Sequence, residues 1–220
     1  MEVEMLNNLN IKCKLCGCTE VELQDYKIRN ITDDSCKMYK CKNCETHFMY
    51  PLPSQDLSEY YDGTFREEVH TADYYDYTEL DKVFNNFLGE AKLRTERVKN
   101  DLSANDKILE IGSSVGYFTA AISAYVKDVY ATEWDSKARA YIKDRLTKYN
   151  IHVAKNPEDF ETKFDKIFMF HVLEHIEKPI DFLKNLKQLL NENGKIYIEV
   201  PNVDDVMLKT FRCRPFIEHY

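Results

Sequence analysis

No apolar run in the 220-residue sequence approaches the roughly 20 residues that a bilayer-spanning helix needs. Its first residues carry no basic-then-apolar leader, so a soluble, cytoplasmic protein without a membrane partner is expected. A basic patch is also missing: 30 Lys and Arg stand against 38 Asp and Glu, for a formal net charge of −8 and an isoelectric point near 5.3. A phosphate backbone is repelled by such a balance, which argues against nucleic acid as a partner and for small-molecule or acidic-surface chemistry. There is no internal repeat and no low-complexity tract, and tryptophan occurs once. What is present is a 44% hydrophobic content, enough for one good-sized core and a smaller unit beside it.

The pattern divides into four blocks. Residues 1–11 form an aperiodic polar tail, expected to be flexible. Residues 12–54 hold six of the seven cysteines and end at "PLPS". Residues 55–103 begin with a tyrosine-rich linker ("EYYDGT", "DYYDYT") and continue from Glu79 as an amphipathic helix. Its stripe of Leu80, Val83, Phe84, Phe87, Leu88, Ala91 and Val98 recurs at helical spacing. From residue 104 to 220 strands and helices alternate, with strands near 107–111, 127–132, 151–154, 166–170 and 194–200 and helices near 116–125, 136–149 and 178–191. That alternation implies an α/β domain, a Rossmann-like parallel sheet with helices on both faces. "NENGKIYIEVPN" reads as a helix stop at Gly194 followed by a strand.

Cys13-x2-Cys16 and Cys41-x2-Cys44 are two knuckle-type pairs with 24 residues between them. Each pair offers two thiolates from one turn, and two such turns close a tetrahedral site for structural Zn2+. Cys18, Cys36 and His47 are spare donors, and the metal supplies folding free energy to a block too small for a core of its own.

The stretch "KILEIGSSVGYFTAAI" reads as strand, glycine turn and helix. A dinucleotide fingerprint wants G-x-G-x-x-G, whereas here the run is Gly112-Ser-Ser114-Val-Gly116. Glu110 precedes it, where a carboxylate would repel a diphosphate and tolerate a cationic ligand. Glu110-Ile-Gly112-Ser-Ser114-Val-Gly116 resembles the first motif of class I S-adenosylmethionine-dependent methyltransferases, with serine in place of the middle glycine. The resemblance implies S-adenosylmethionine as cofactor, S-adenosylhomocysteine as product, and cofactor contacts from Glu110, Gly112, Ser114, Gly116 and Phe118. Glu133, 21 positions after Gly112, matches the acid that receives the ribose hydroxyls, and Trp134 is placed to pack on the adenine. "KNPEDFETKFDKI" resembles the family's adenine-flanking segment, with Asp159 and Phe160 as its candidates.

"FMFHVLEHIEKP" resembles the H-x-L-E-H turn of methyltransferases acting on small polar acceptors. Phe170 and His171 are expected on the cofactor side, and His171 and His175 are the candidate catalytic residues. His175 is expected as general base, because an imidazole titrates near neutrality, with His171 as a positioning group and Glu174 able to orient a histidine. The D/N-P-P-Y/F sequence of nucleobase amino-methylating enzymes is absent. Together with the cysteine block and "YKCKNCETHFMYPLPS", the chain is similar to sugar C- and O-methyltransferases of surface-polysaccharide and antibiotic clusters, with Tyr60, Tyr61, Tyr74 and Tyr75 as acceptor-pocket candidates. The acceptor so implied is a sugar, nucleotide-sugar or other capsule or surface-polysaccharide precursor, phosphate- and phosphoramidate-type modifications included. A complete core of that class has seven strands and five are counted here, so either C-terminal truncation or an unusually short member of the class is expected. "RPFIEHY" resembles the family's acceptor-site turn, which brings in Glu218, His219 and Tyr220. Two rival functions stay open: an RNA methyltransferase whose zinc ribbon grips RNA, and a non-catalytic cofactor-binding module.

Overall fold

A computed structural model describes residues 11–25, 36–51, 57–63, 65–66 and 76–205. Tyr74, Tyr75, Cys213, Glu218, His219 and Tyr220 lie outside the described residues. The chain divides into two compact units, one of residues 1–54, 173–185 and 200–220 and the other of residues 55–172 and 186–199.

In the first unit, β1 (Val21–Gln24), β2 (Lys37–Cys41) and β3 (His47–Tyr50) form an antiparallel sheet in that order. Its core is small: Ile11, Cys13, Tyr39, Cys41 and Phe48, with Val21 and Tyr50 packed against them. Two of those five residues are cysteines, so little apolar surface is left to stabilise the sheet without another source of folding energy. The same unit holds the 3₁₀ turn Leu173–His175.

The second unit contains α1 (Leu57–Asp62) and α2 (Leu80–Val98). Five parallel strands follow: β4 (Lys107–Ile111), β5 (Asp128–Thr132), β6 (Ile151–Ala154), β7 (Phe164–Phe170) and β8 (Leu190–Glu199). Between them run α3 (Tyr117–Ile122) and α4 (Ser136–Arg145); α5 (Pro179–Gln188), which precedes β8 in the chain, belongs to the first unit up to residue 185. The spatial order is β6-β5-β4-β7-β8. The chain steps outward from β4 to β5 and β6, then returns to the other side of β4 for β7 and β8. The reversal between β4 and β7 is the switch point at which open α/β sheets carry their ligand crevice, beyond the carboxyl ends of the strands.

Strand alternation sorts the side chains. Ile108, Val129 and Phe168 pack with Ala91 of α2 and with Phe118 and Ile122 of α3. Val83 and Phe84 of α2 pack with Ala138 and Ile142 of α4. Residues of the opposite parity face the other way: Tyr130 stacks on His152, with ring centroids 4.7 Å apart, and meets Phe160 and Phe164 edge-on. With a period of two, Glu110 must share the face of Ile108, which decides its environment below.

Element positions follow the sequence pattern except at several ends: α4, expected over 136–149, stops at Arg145, and β7, expected from 166, begins at Phe164. The helix expected over 116–125 stops at Ile122. The helix before β8 ends at Gln188, not at Gly194, and the strand begins at Leu190. Phe164 pairs with Leu190 and Lys166 with Lys195, so residues 191–194 bulge opposite Asp165 alone, with Asn193 at φ 62°. Asn tolerates the left-handed region, and Gly194 lies inside this bulge instead of capping a helix.

Asp135 caps α4, its Oδ1 accepting from the backbone N–H groups of Lys137 and Ala138 at 2.8 and 3.2 Å. Its Oδ2 takes Arg66 Nε, and both side chains are buried. Removing one partner of a buried pair leaves a desolvated charge. Arg66→Met is expected to lower unfolding stability by about 3 kcal/mol, read as a lower urea midpoint at unchanged m-value. A change below about 0.5 kcal/mol would mean the surface layer absorbs the charge.

Candidate functional site

The turn after β4 is built by backbone. Gly112 and Ser113 N–H both donate to Thr132 O at 2.9 Å, and Gly116 N–H donates to Ser113 O. Gly112 (φ 71°) and Gly116 (φ 79°) occupy the left-handed region, and so does Ser114 at φ 49°. A Cβ on Gly112 would meet Val172 Cγ2 at 2.7 Å. The glycine is therefore required twice, by its dihedral and by the close approach of the residue that follows His171 after β7. Val172 is a neighbour that strand patterning does not reveal.

Glu133, at the end of β5, reaches into this turn. One carboxylate oxygen accepts from Ser114 N–H at 2.6 Å and the other from Asp135 N–H at 3.0 Å. Burial raises its pKa, while these two amides pull it down. Trp134 beside it is half-buried, with the ring of Tyr61 from α1 at 6.2 Å, and Arg139 Nη1 donates to the carbonyls of both Glu133 and Trp134.

Glu110 was expected to project its carboxylate at the mouth of the crevice. It lies instead beneath α2 and α3, 2% exposed, because it shares the inward face of Ile108. Burial drives its pKa well above the usual carboxylate range, against the charge of Arg94 and a hydrogen bond to the backbone of Thr119. Its Oε2 and the hydroxyl of Ser113, itself 0% exposed, are buried oxygens without a hydrogen-bond partner in the structure. Such oxygens are uncommon in native proteins, and two flanking one glycine turn fit a polar ligand that brings hydrogen-bond donors to the strand ends.

Arg94 is the residue that sequence reasoning missed. It lies three positions after Ala91, in the gap of the apolar stripe before Val98, and is 6% exposed. Its Nε donates to Glu199 Oε1 at 3.0 Å, its Nη2 bonds the same oxygen, and Glu90 lies 2.8 Å away. The guanidinium sits 4.6 Å over the Phe170 ring. Burial opposes its charge, but the Glu199 hydrogen bond and the two carboxylates outweigh it and raise its pKa. The interruption in the stripe was the available signal.

His171 follows β7 with φ 55°, and its N–H donates to Glu199 O at 2.9 Å. Its Nε2 lies 3.4 Å from Glu199 Oε1. His175 and Glu174 belong to the 3₁₀ turn of the other unit.

Three expected cofactor residues fall elsewhere. Phe118 is 0% exposed and packs between Phe168 and Phe170, with centroids at 5.1 and 4.6 Å. It is core, because the first turn of α3 directs it onto the sheet. Asp159 spends its carboxylate on its own turn, accepting from Asn156 N–H at 2.9 Å. Phe160 meets Tyr130 at 5.1 Å and Phe164 at 6.3 Å, on the sheet face opposite Ile108 and toward the start of β7. The acid-aromatic pair answers to local capping and to packing, not to the crevice.

In the first unit, Cys13, Cys16, Cys41 and Cys44 place their sulfurs within 4.8 Å of one another, two pairs at 3.5 Å. Zinc–thiolate bonds of about 2.3 Å set tetrahedral S–S edges of roughly 3.8 Å, so four sulfurs at these separations fit that metal. The two knuckles match: Gly17 N–H donates to Cys13 O and Glu45 N–H to Cys41 O, with Gly17 and Glu45 both left-handed. The backbone N–H of Cys18 leads in lowering the Cys16 thiol to about 6. Cys18 and Cys36 bond instead to Glu20 N–H and Pro51 O, and neither they nor His47 join the quartet.

Residues 77–219 match the family described as methyltransferase domain. The chain belongs to that family. A tRNA U34 carboxymethyltransferase of Campylobacter hominis is 28% identical over 107 residues, 44% of this chain and 37% of the relative. A probable S-adenosylmethionine-dependent methyltransferase of Mycobacterium tuberculosis is 24% identical over 110 residues, 49% and 39% respectively. The chain thus spans 37–39% of the length of these two curated relatives. Among solved structures, the plantazolicin methyltransferase BpumL superposes with a TM-score of 0.51 at 18% identity, covering 73% of this chain and 65% of that one; the methyltransferase domain here shares its fold. Among the described residues no helix is long and apolar enough to cross a membrane.

Because Glu110 carries a raised folded-state pKa, its protonated form is the one folding favours. Its contribution is complete below the ordinary carboxylate pKa and is lost as pH rises through the folded value. Glu110→Gln, which cannot ionise, is expected to be near-neutral at pH 5 and to gain stability over the parent as pH rises to 8, measured by urea unfolding at both values. A constant difference across that range would place Glu110 in its charged form throughout.

Proposed function

We propose that this chain is an S-adenosylmethionine-dependent methyltransferase acting on a small polar acceptor, a sugar, nucleotide-sugar or related surface-polysaccharide precursor. The observation that supports it best is the carboxylate of Glu133, at the end of the strand beside β4, reaching the Gly112–Gly116 turn at the switch point. An acid there is placed to accept hydrogen bonds from a ribose. The methyl donor brings a methyl group and a good leaving group, so alignment supplies much of the acceleration. Gly112, Ser114 and Gly116 would lie along its amino-acid part, Glu133 and Trp134 along its nucleoside, and Phe170 and His171 near the acceptor end. Tyr60 and Tyr61, with His171, serve the acceptor. The proton the acceptor loses is taken by an imidazole of the H-x-L-E-H turn. In this reading the ribbon's four cysteines hold a structural Zn2+ with no open coordination position, and residues 12–54 fold on it.

A second reading, an RNA acceptor, is favoured by the relatives named tRNA U34 carboxymethyltransferase. The net charge of −8 opposes it, and firm retention on a polyanion matrix at moderate salt would support it.

Calorimetry is expected to show binding of S-adenosylmethionine and S-adenosylhomocysteine and no heat with NAD or FAD. Glu133→Gln is expected to weaken the methyl donor by roughly tenfold or more, the worth of a charged hydrogen bond. Binding of a dinucleotide in place of the methyl donor overturns the reading. Metal analysis is expected to give about one zinc per chain, lost in Cys16→Ser together with cooperative melting of the ribbon. Full thermal stability after exhaustive chelation would contradict a structural metal.

A further inference from the structure

The H-x-L-E-H sequence is divided by the boundary between the two units. His171 and Val172 end a segment of the second unit, which also holds Gly112, Ser114 and Glu133, whereas Leu173, Glu174 and His175 belong to the first unit with the four cysteines. The chain enters the first unit from the carboxyl ends of two parallel strands, at Leu173 after β7 and at Val200 after β8. Segments leaving those strand ends are the ones that carry ligand residues in open α/β sheets. In this chain they fold with the ribbon. Each knuckle has one of them as an electrostatic neighbour. Lys14, inside the first knuckle, is partly buried, and the carboxylate of Glu177 opposes the lowering of its pKa by burial. Burial and Lys40 lower the pKa of His47, after the second knuckle, and Asp204 works against them. The segments themselves are short turns: Ile176 N–H donates to Leu173 O at 3.1 Å and Asp205 N–H to Asn202 O at 2.9 Å. A single turn does not hold its shape alone in water, so the order of Leu173–His175 comes from the unit in which it is packed. The ribbon's own apolar cluster is too small to supply that order, since Cys13 and Cys41 are two of its five buried residues.

We infer that Cys13, Cys16, Cys41 and Cys44, closed on their metal, hold the Leu173–His175 turn as well as residues 12–54, and so position Glu174 and His175. The turn orders with metal loading, while Gly112, Ser114 and Glu133, in the other unit, keep their places without it. The inference rests on the methyltransferase reading and deepens it: the metal becomes a condition for removing the acceptor's proton and not for holding the methyl donor. The cysteines are positioning residues in this scheme, since four thiolates leave the ion no open position for substrate. Binding free energy released at the knuckles is folding free energy for everything packed in the same cooperative unit.

The test needs no known acceptor for its first arm. Amide hydrogen exchange of the full chain is followed by mass spectrometry before and after zinc is removed by a chelator. Peptides covering 12–24, 36–50 and 173–177 are expected to exchange faster together, by about tenfold or more, and to recover when Zn2+ is returned, while those covering 107–133 keep their protection. Protection of 173–177 that survives loss of the ribbon's overturns the inference, and so does a chain that takes up no zinc. If the stripped chain aggregates, Cys16→His keeps a fourth ligand of weaker affinity. The zinc concentration at half-protection is then expected to rise by the same factor for 36–50 and for 173–177, and factors more than about threefold apart overturn the link. In the second arm, S-adenosylhomocysteine is titrated calorimetrically into the zinc-loaded and zinc-free chains. Affinities within about twofold support independence of the donor site, and a larger fall without zinc overturns it. Absence of binding to the loaded chain sinks the methyltransferase reading, while the exchange arm still decides the link between metal and turn. With a nucleotide-sugar that is turned over, zinc removal is expected to lower kcat by about a hundredfold at an unchanged KM for the methyl donor. Full kcat without zinc overturns the inference.

Discussion

The second unit is organised around one buried carboxyl group. Strand parity turns Glu110 inward with Ile108 and sends it under α2 and α3, where desolvation disfavours its charge. Arg94, on the helix laid over that face, supplies the opposing charge and is itself held by Glu199 and Glu90. A single arginine thus ties α2 to the end of β8 and neutralises the field at the centre of the sheet. α2, the end of β8 and the residue before His171 all meet at that cation, which lies over the Phe170 ring and bonds Glu199. A buried pair of this kind is weak evidence for stability in itself, but leaving one member alone is costly.

The crevice beyond the strands is made by turns that brace one another. The β4 turn hangs from Thr132 O, Glu133 reaches back to Ser114, and Gly112 lies against Val172 from the β7 end. Each contact joins segments far apart in the chain, so the turn is set by its neighbours as much as by its own residues. Serine at position 114, where the family motif carries glycine, takes the left-handed conformation nonetheless, with its N–H held by Glu133. The strain of a non-glycine residue is met by a charged hydrogen bond instead of by conformational freedom.

Periodicity made the sheet legible. β4, β5 and β6 are short runs of apolar and β-branched residues between turn signals, and their ends agree with the sequence reading to within one residue. The α2 stripe located its buried face, and the same stripe held Arg94 unnoticed, because a charge within an apolar period reads as a lapse and not as a ligand. The start of β8 was missed because residues 191–194 look like a helix stop and act as a bulge. Phe118, Asp159 and Phe160 were placed by motif register, which counts residues along the chain. Packing on one sheet face or the other decided where they went.

The sequence by itself determined the alternation of strands and helices, the glycine turn after β4, the acid closing β5 and the two cysteine knuckles. All of these are local, carried by spacing and residue chemistry within a few turns of chain. Tertiary structure alone decided that Glu110 is covered, that Arg94 and Glu199 meet across 105 positions and that His171 lies within reach of that pair. Contacts between distant segments arise from sheet order and strand parity, and neither is written in any single stretch of residues.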